Sequence, residues 1–72
     1  MGSVSNNNEE ILLKDLEEYR ELAQTDPATY EPYVAMALNR LGLFYQNANE
    51  YDRAAREYTE ALAIHRKLAE AD

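Results

Sequence analysis

The only histidine, His65, and the many carboxylates are the residues that could take part in acid–base or metal chemistry. Both kinds of chemistry need several side chains that converge on one point. No HExxH-like motif and no paired histidine–carboxylate spacing surrounds His65. We therefore expect His65 to pack or to lie at a surface edge, and the sequence predicts no catalytic residue, no metal site and no cofactor.

The carboxylates are spaced for ion pairing on helix surfaces. Glu17 lies three residues before Arg20, and Asp52 lies four residues before Arg56. Such pairs face each other on a helix and are typical of a solvated surface. The sequence has no glycine-rich phosphate loop and no Ser–His–Asp set, and it has no cysteine to supply a thiolate or a disulfide. An enzyme is therefore not predicted.

Length and charge limit the possible partners. The chain has 72 residues and a net charge of −7, which allows one small domain and disfavours binding to nucleic acid or to anionic membranes. No apolar run approaches the roughly 20 residues that span a bilayer. We expect a protein or peptide partner and, because no targeting signal is visible, a cytoplasmic location.

The elements that must position any site are predicted to be helices. Glycine, proline and β-branched residues are few, and apolar residues recur every three or four positions. The pattern predicts an all-α domain over 9–72, with three antiparallel helices at about 9–24, 31–47 and 50–70. Residues 1–8 are small and polar, and we interpret them as a disordered leader or a cloning remnant.

Two prolines and an asparagine fix the predicted helix ends. Pro27 lacks a donor and ends the first helix, whereas Pro32 would clash with the carbonyl four residues earlier if the second helix began at Pro27. The second helix is therefore expected to begin near Glu31. Asn49 is predicted to cap the third helix by accepting a hydrogen bond from the amide of Asp52.

An internal repeat appears when the sequence is shifted by 46 residues. Five residues then coincide with identical ones, in the pairs Leu16/Leu62, Arg20/Arg66, Leu22/Leu68, Ala23/Ala69 and Asp26/Asp72. A fixed period indicates stacked helical units, none of which can bury its apolar face alone. The first helix is thus interpreted as the second half of one unit, and the other two helices as a complete unit.

The complete unit resembles the tetratricopeptide repeat. The residues that carry the resemblance alternate between small and large at fixed spacing, and they are Leu38, Leu41, Gly42, Tyr45, Tyr51, Ala54, Tyr58, Ala61 and Leu62. The sequence of this unit is most similar to the extended repeats of kinesin light chain and of bacterial tandem arrays. The resemblance implies an α-solenoid fragment, in which one complete helix-turn-helix unit follows a half repeat.

Two positions depart from the family pattern. Arg66 stands where the common repeat has its closing proline, so the helices are expected to be longer than usual. Asp15 occupies the slot that Ala61 fills in the complete unit, and a buried carboxylate at a helix interface would be costly. We therefore expect no helix to precede the first one.

The resemblance also implies a function and a binding site. The first helix of a tetratricopeptide unit lines a concave groove that binds a peptide or protein, and the matching residues here are Met36, Asn39, Arg40, Leu43, Gln46 and Asn47. In the light-chain-like repeats the asparagine at the matching position faces the groove and can hold a peptide backbone. The resemblance therefore implies the same role for the side-chain amide of Asn39. A second family mode, a clamp for a C-terminal carboxylate, lacks its residues because Asn39 and Leu43 stand in their places.

The alternative to a binding module is self-assembly. The end of the third helix is predicted to leave apolar area around Tyr58, Ile64 and Leu68, which a second copy could cover in a homo-oligomer. Tyr30 and Tyr33 flank Pro32 outside the repeat pattern. Tyrosine is favoured at interfaces, but packing is the simpler interpretation of these two rings.

Overall fold

The computed structural model describes residues 4–71, with side chains from Asn8 onward, and all three of its elements are helices. They are α1 (Val4–Thr25), α2 (Pro27–Asn47) and α3 (Tyr51–Ala71). The described residues form no strand, so the predicted all-α class is confirmed. Within residues 4–71, no helix has the length and apolar character needed to cross a membrane.

The three helices run antiparallel in chain order, with α2 in the centre. The Tyr45 hydroxyl near the end of α2 donates a 2.9 Å hydrogen bond to Glu9 near the start of α1. Lys67 near the end of α3 lies 2.8 Å from Glu31 near the start of α2. Both α1 and α3 pack against α2. The central helix therefore supplies most of the core and fixes the positions of the other two.

The first helix begins earlier than the sequence predicts. Its start is Val4 instead of Glu9, so Val4–Asn8 are helical, whereas Met1–Ser3 lie outside the described residues. Asn6–Asn8 contain neither glycine nor proline, and extending an existing helix costs little compared with starting one. The hydrogen bond from Tyr45 anchors Glu9 and so supports this extension.

The second helix also begins earlier than predicted, at Pro27 instead of Glu31. The Asp26 side chain accepts a 3.4 Å hydrogen bond from the Thr29 amide, and its carbonyl accepts one of 3.1 Å from the Tyr30 amide. Pro27 occupies the first turn, where its missing donor costs nothing. Pro32 lies inside the helix and forgoes one hydrogen bond to the carbonyl four residues earlier. The capped first turn outweighs that single loss.

The turn between α2 and α3 differs from the predicted cap. Asn49 has a positive φ of 64°, a conformation that asparagine tolerates better than most residues. The Glu50 amide donates to the Tyr45 carbonyl and the Asn49 amide to the Gln46 carbonyl, which together form a Schellman motif. The prediction that Asn49 caps α3 is therefore wrong. Asn49 ends α2, and its side chain accepts a hydrogen bond from Tyr51.

The core lies on the two sides of α2 that contact its neighbours. Its buried apolar side chains are Leu16 from α1, Val34, Ala35, Ala37, Leu38, Leu41 and Tyr45 from α2, and Ala54 and Ala61 from α3. Gly42 lets α3 approach closely, since a Cβ atom at this position would lie 2.7–2.9 Å from three ring atoms of Tyr58. The small–large alternation read from the sequence thus corresponds to a real contact between α2 and α3.

Replacing Gly42 by alanine tests this contact. Alanine favours a helix over glycine by about 1 kcal/mol, yet the added methyl must displace the Tyr58 ring, so we expect a net loss of roughly 1–3 kcal/mol of unfolding free energy. Chemical denaturation monitored by circular dichroism measures the change. In a Tyr58→Ala background the ring is gone, and Gly42→Ala should become neutral or stabilising. An equal loss in both backgrounds would contradict the contact.

Candidate functional site

The predicted groove residues lie together on one side of α2, which we call the α2 face. Asn39, Arg40, Leu43, Gln46 and Asn47 are exposed, and Met36 is half-buried. At 1.5 Å per residue the face extends about 16 Å along the helix axis. Leu43 is the most exposed large apolar side chain of α2, with 54% of its surface accessible. The six residues therefore share one side of α2, and their role in binding stays a prediction.

The α2 face is open because α1 and α3 occupy the other sides of α2. Leu38 and Leu41 are fully buried, and Val34 and Tyr45 are buried with them. These positions follow helical spacing, so the side chains between them necessarily point away from the core. The core thus holds the α2 face rigidly outward.

The polar groups of the α2 face are available to a partner. Among the described side chains, Asn39 makes no side-chain hydrogen bond and Arg40 makes no ion pair. An amide offers two donor hydrogens and an acceptor oxygen, which match a peptide backbone. Gln46 is partly engaged, because its side-chain oxygen accepts a 3.1 Å hydrogen bond from Tyr58. That bond fixes one edge of the face to α3.

Tyr33 extends the α2 face toward the start of the helix, and the predicted set omits it. Its ring stacks on Tyr19 of α1 at a centroid distance of 5.4 Å, and it lies 6.1 Å from the ring of Tyr30. Tyr33 still has 44% of its surface exposed, so it combines packing with an open aromatic edge. Tyr33 lies three residues before Met36, which places it on the same side of the helix. This spacing could have assigned Tyr33 to the α2 face from the sequence alone.

Ion pairs join α1 and α3 away from the α2 face. Arg20 lies 2.8 Å from Glu60, and Arg53 lies 3.7 Å from Glu9 and 3.3 Å from Glu50. The sequence spacing predicted that Arg20 would pair with Glu17. In the structure Arg20 instead pairs with Glu60 of α3. The Arg53 guanidinium also lies 5.4 Å from the centroid of the Tyr45 ring. Burial raises the pKa of Tyr45, and its hydrogen bond to Glu9 raises that pKa further.

No other arrangement in the described part of the chain suggests reaction chemistry. His65 is exposed on α3. No group of three histidine, aspartate or glutamate side chains within the described residues could hold a metal ion. Surface depressions lie along α1, around Asn49 and Arg53 at the start of α3, and where the three helices meet near Val34 and Ile64, and all of these are open to solvent. None of them coincides with the α2 face.

The residues predicted for self-association are less accessible than expected. Tyr58 and Ile64 pack against the hydrophobic core, and Leu68 is half-buried. The large exposed apolar side chains of α3 are instead Tyr51 at 61% and Leu62 at 56%. Helical spacing places Tyr58 and Ile64 on the side of α3 that packs against the core, whereas Leu62 lies on its exposed side.

Glu57 provides a test of the electrostatics between the helices. Burial raises the pKa of Glu57, the Glu60 carboxylate raises it further, and nearby arginines including Arg20 oppose the shift. A raised pKa in the folded state means that the contribution of Glu57 to stability is present below its unfolded pKa and is lost as the pH rises through its folded pKa. We therefore expect Glu57→Gln to change the free energy of unfolding relative to the wild type in a more stabilising direction at pH 7 than at pH 4. Chemical denaturation at both pH values measures this difference. Glu17→Gln removes the same charge from an exposed position and is the control. An equal effect at both pH values would contradict the shift.

No family model matches the chain, and neither a curated protein nor a solved structure matches it. The all-α fold is therefore established from this chain alone. The tetratricopeptide resemblance stays a prediction from the residue pattern between Leu38 and Leu62.

Proposed function

We propose that this chain is a protein-interaction module of the tetratricopeptide type, which binds a peptide or protein segment across the α2 face. The observation that carries the proposal is the composition of this face. An exposed apolar centre at Leu43 lies among the uncommitted polar side chains of Asn39 and Arg40 on a rigid helix. Apolar area supplies affinity, and a few placed polar groups supply orientation.

The position of Asn39 favours an extended peptide. A peptide in extended conformation exposes both its N–H and its C=O groups, and the asparagine amide can accept from one and donate to the other. Leu43 and Met36 lie four and three residues from Asn39, so they are adjacent to it on the helix surface. They would contact the apolar side chains of the same peptide.

The charge of the molecule favours a basic or neutral partner. The net charge of −7 attracts basic segments over distances of about a Debye length. Arg40 is the one charged residue among the six that define the α2 face. A partner with a carboxylate or carbonyl opposite Arg40 and basic residues nearby satisfies both the local and the overall charge.

Substitutions at the α2 face test the proposal. Peptides selected from a random display library against the wild-type chain should lose at least about tenfold in affinity on Asn39→Ala and on Leu43→Ala, as measured by fluorescence anisotropy. Leu13→Ala is the matched control, because Leu13 is an exposed leucine (43% accessible) on α1. All three positions are exposed, so circular dichroism should show unchanged folding. Selected peptides that are insensitive to both α2 substitutions would overturn the proposal.

A second candidate function is self-association through α3. The observation that favours it is the exposure of Tyr51 and Leu62 on this helix. Self-association predicts that the mass found by sedimentation equilibrium rises over a roughly hundredfold range of concentration, and that Leu62→Asp abolishes the rise. A constant monomer mass would reject this candidate and leave the α2 face as the functional surface.

A further inference from the structure

Three tyrosines, Tyr19, Tyr30 and Tyr33, lie together between α1 and α2, and we call them the tyrosine cluster. The ring of Tyr33 stacks on that of Tyr19 at a centroid distance of 5.4 Å, and its centroid lies 6.1 Å from that of Tyr30. Tyr19 and Tyr30 are half-buried, whereas Tyr33 has 44% of its surface exposed. The cluster therefore offers an open aromatic surface that continues into the α2 face.

The hydroxyl groups of the tyrosine cluster are not used inside the molecule. Tyr45, Tyr51 and Tyr58 each donate a hydrogen bond to another side chain. The hydroxyls of the cluster take part in none of the side-chain hydrogen bonds between described residues. A phenol oxygen can donate one hydrogen bond and accept two. Three such groups on neighbouring rings are thus available to a ligand.

Two carboxylates of α1 border the tyrosine cluster. Asp15 lies one turn before Tyr19 on the same side of the helix, and Glu18 directly precedes Tyr19. Neither carboxylate belongs to an ion pair between the residues whose side chains are described. The faces of aromatic rings carry partial negative charge, so rings and carboxylates together attract a cation. The charge around the cluster is therefore complementary to a basic side chain.

Arginine fits this surface better than lysine. A guanidinium is planar and weakly hydrated, it stacks on aromatic rings, and its five N–H donors can bond to phenol and carboxylate oxygens together. The ammonium of lysine is compact and more strongly hydrated. Leu22 is 43% exposed and lies three residues after Tyr19, where it can contact the methylene groups of an arginine.

We propose that the tyrosine cluster binds an arginine side chain of the peptide that crosses the α2 face. The guanidinium packs against the exposed part of the Tyr33 ring, donates hydrogen bonds to the phenol oxygens and lies close to the carboxylate of Asp15. This inference rests on the function proposed for the α2 face, and it specifies the partner as an arginine-containing segment.

The spacing between the tyrosine cluster and Arg40 sets the position of that arginine in the peptide. Arg40 lies seven residues after Tyr33, which corresponds to about 10 Å along the helix axis. An extended peptide covers this distance with roughly three residues. The arginine of the peptide therefore lies about three residues from the group that faces Arg40, and the two like charges stay apart.

A small probe tests the tyrosine cluster separately from the α2 face. N-acetylarginine amide is titrated into the wild-type chain with ¹³C-labelled tyrosine rings, and NMR follows the ring signals. We expect saturable shifts for the cluster, and a roughly tenfold higher concentration of the neutral citrulline analogue should be needed for the same shift. Tyr51 is the internal control, because its ring is 61% exposed on α3 and its signals should not move. Equal responses to the arginine, citrulline and lysine amides, or equal shifts at Tyr51, would overturn the inference.

A peptide selected against the wild-type chain gives the second test. Replacing its arginine by citrulline should weaken binding to the wild-type chain about tenfold, but binding to Tyr33→Leu by less than about twofold, as measured by fluorescence anisotropy. Tyr51→Leu is the matched control and should keep the full effect of citrulline. Asp15→Asn preserves every ring and should also reduce that effect, which separates lost binding from misfolding of Tyr33→Leu.

The outcomes distinguish this inference from the function on which it rests. Selected peptides that lack arginine, or an effect of citrulline that persists in Tyr33→Leu, would overturn the inference even if Asn39→Ala and Leu43→Ala weaken binding as expected. Peptides that depend on their arginine and on Tyr33, but on neither Asn39 nor Leu43, would support the tyrosine cluster and reject the α2 face as the main binding surface.

Discussion

The burial of α2 between α1 and α3 is the constraint on which the rest of this structure depends. A chain of 72 residues can bury only about 60% of the surface that its unfolded form exposes, so it has one small core. Leu38 and Leu41 are the largest side chains that this core buries completely. Both belong to α2, and α1 and α3 are held in place by their contacts with that helix. Loss of either neighbour would expose the centre of the core.

Close approach of the helices makes this small core sufficient. Gly42 removes the side chain that would otherwise collide with the Tyr58 ring, and Ala54 and Ala61 keep the facing surface of α3 low. Dispersion contacts weaken steeply with distance, so small residues at a helix crossing increase the packing that each large residue obtains. Ion pairs between α1 and α3, such as Arg20 with Glu60, lie at the surface and contribute little to stability. Their value lies in setting the relative position of the two outer helices.

The same packing divides the surface into regions with different properties. The core fixes one side of α2, which leaves the opposite side free to present Asn39, Arg40 and Leu43 without reorganisation. A preorganised surface loses little entropy when it binds a partner.

The sequence by itself determined the helical class, the three elements and the 46-residue repeat, because each depends on spacing along a helix. Only the tertiary structure decided the helix starts at Val4 and Pro27 and the left-handed conformation of Asn49, since local hydrogen bonds such as that from Thr29 to Asp26 compete there within about 1 kcal/mol. It also decided that Tyr33 joins the α2 face and that Tyr58 and Ile64 face the core. A stripe on a helix predicts which residues share a side, but the position of the neighbouring helices determines which side is covered.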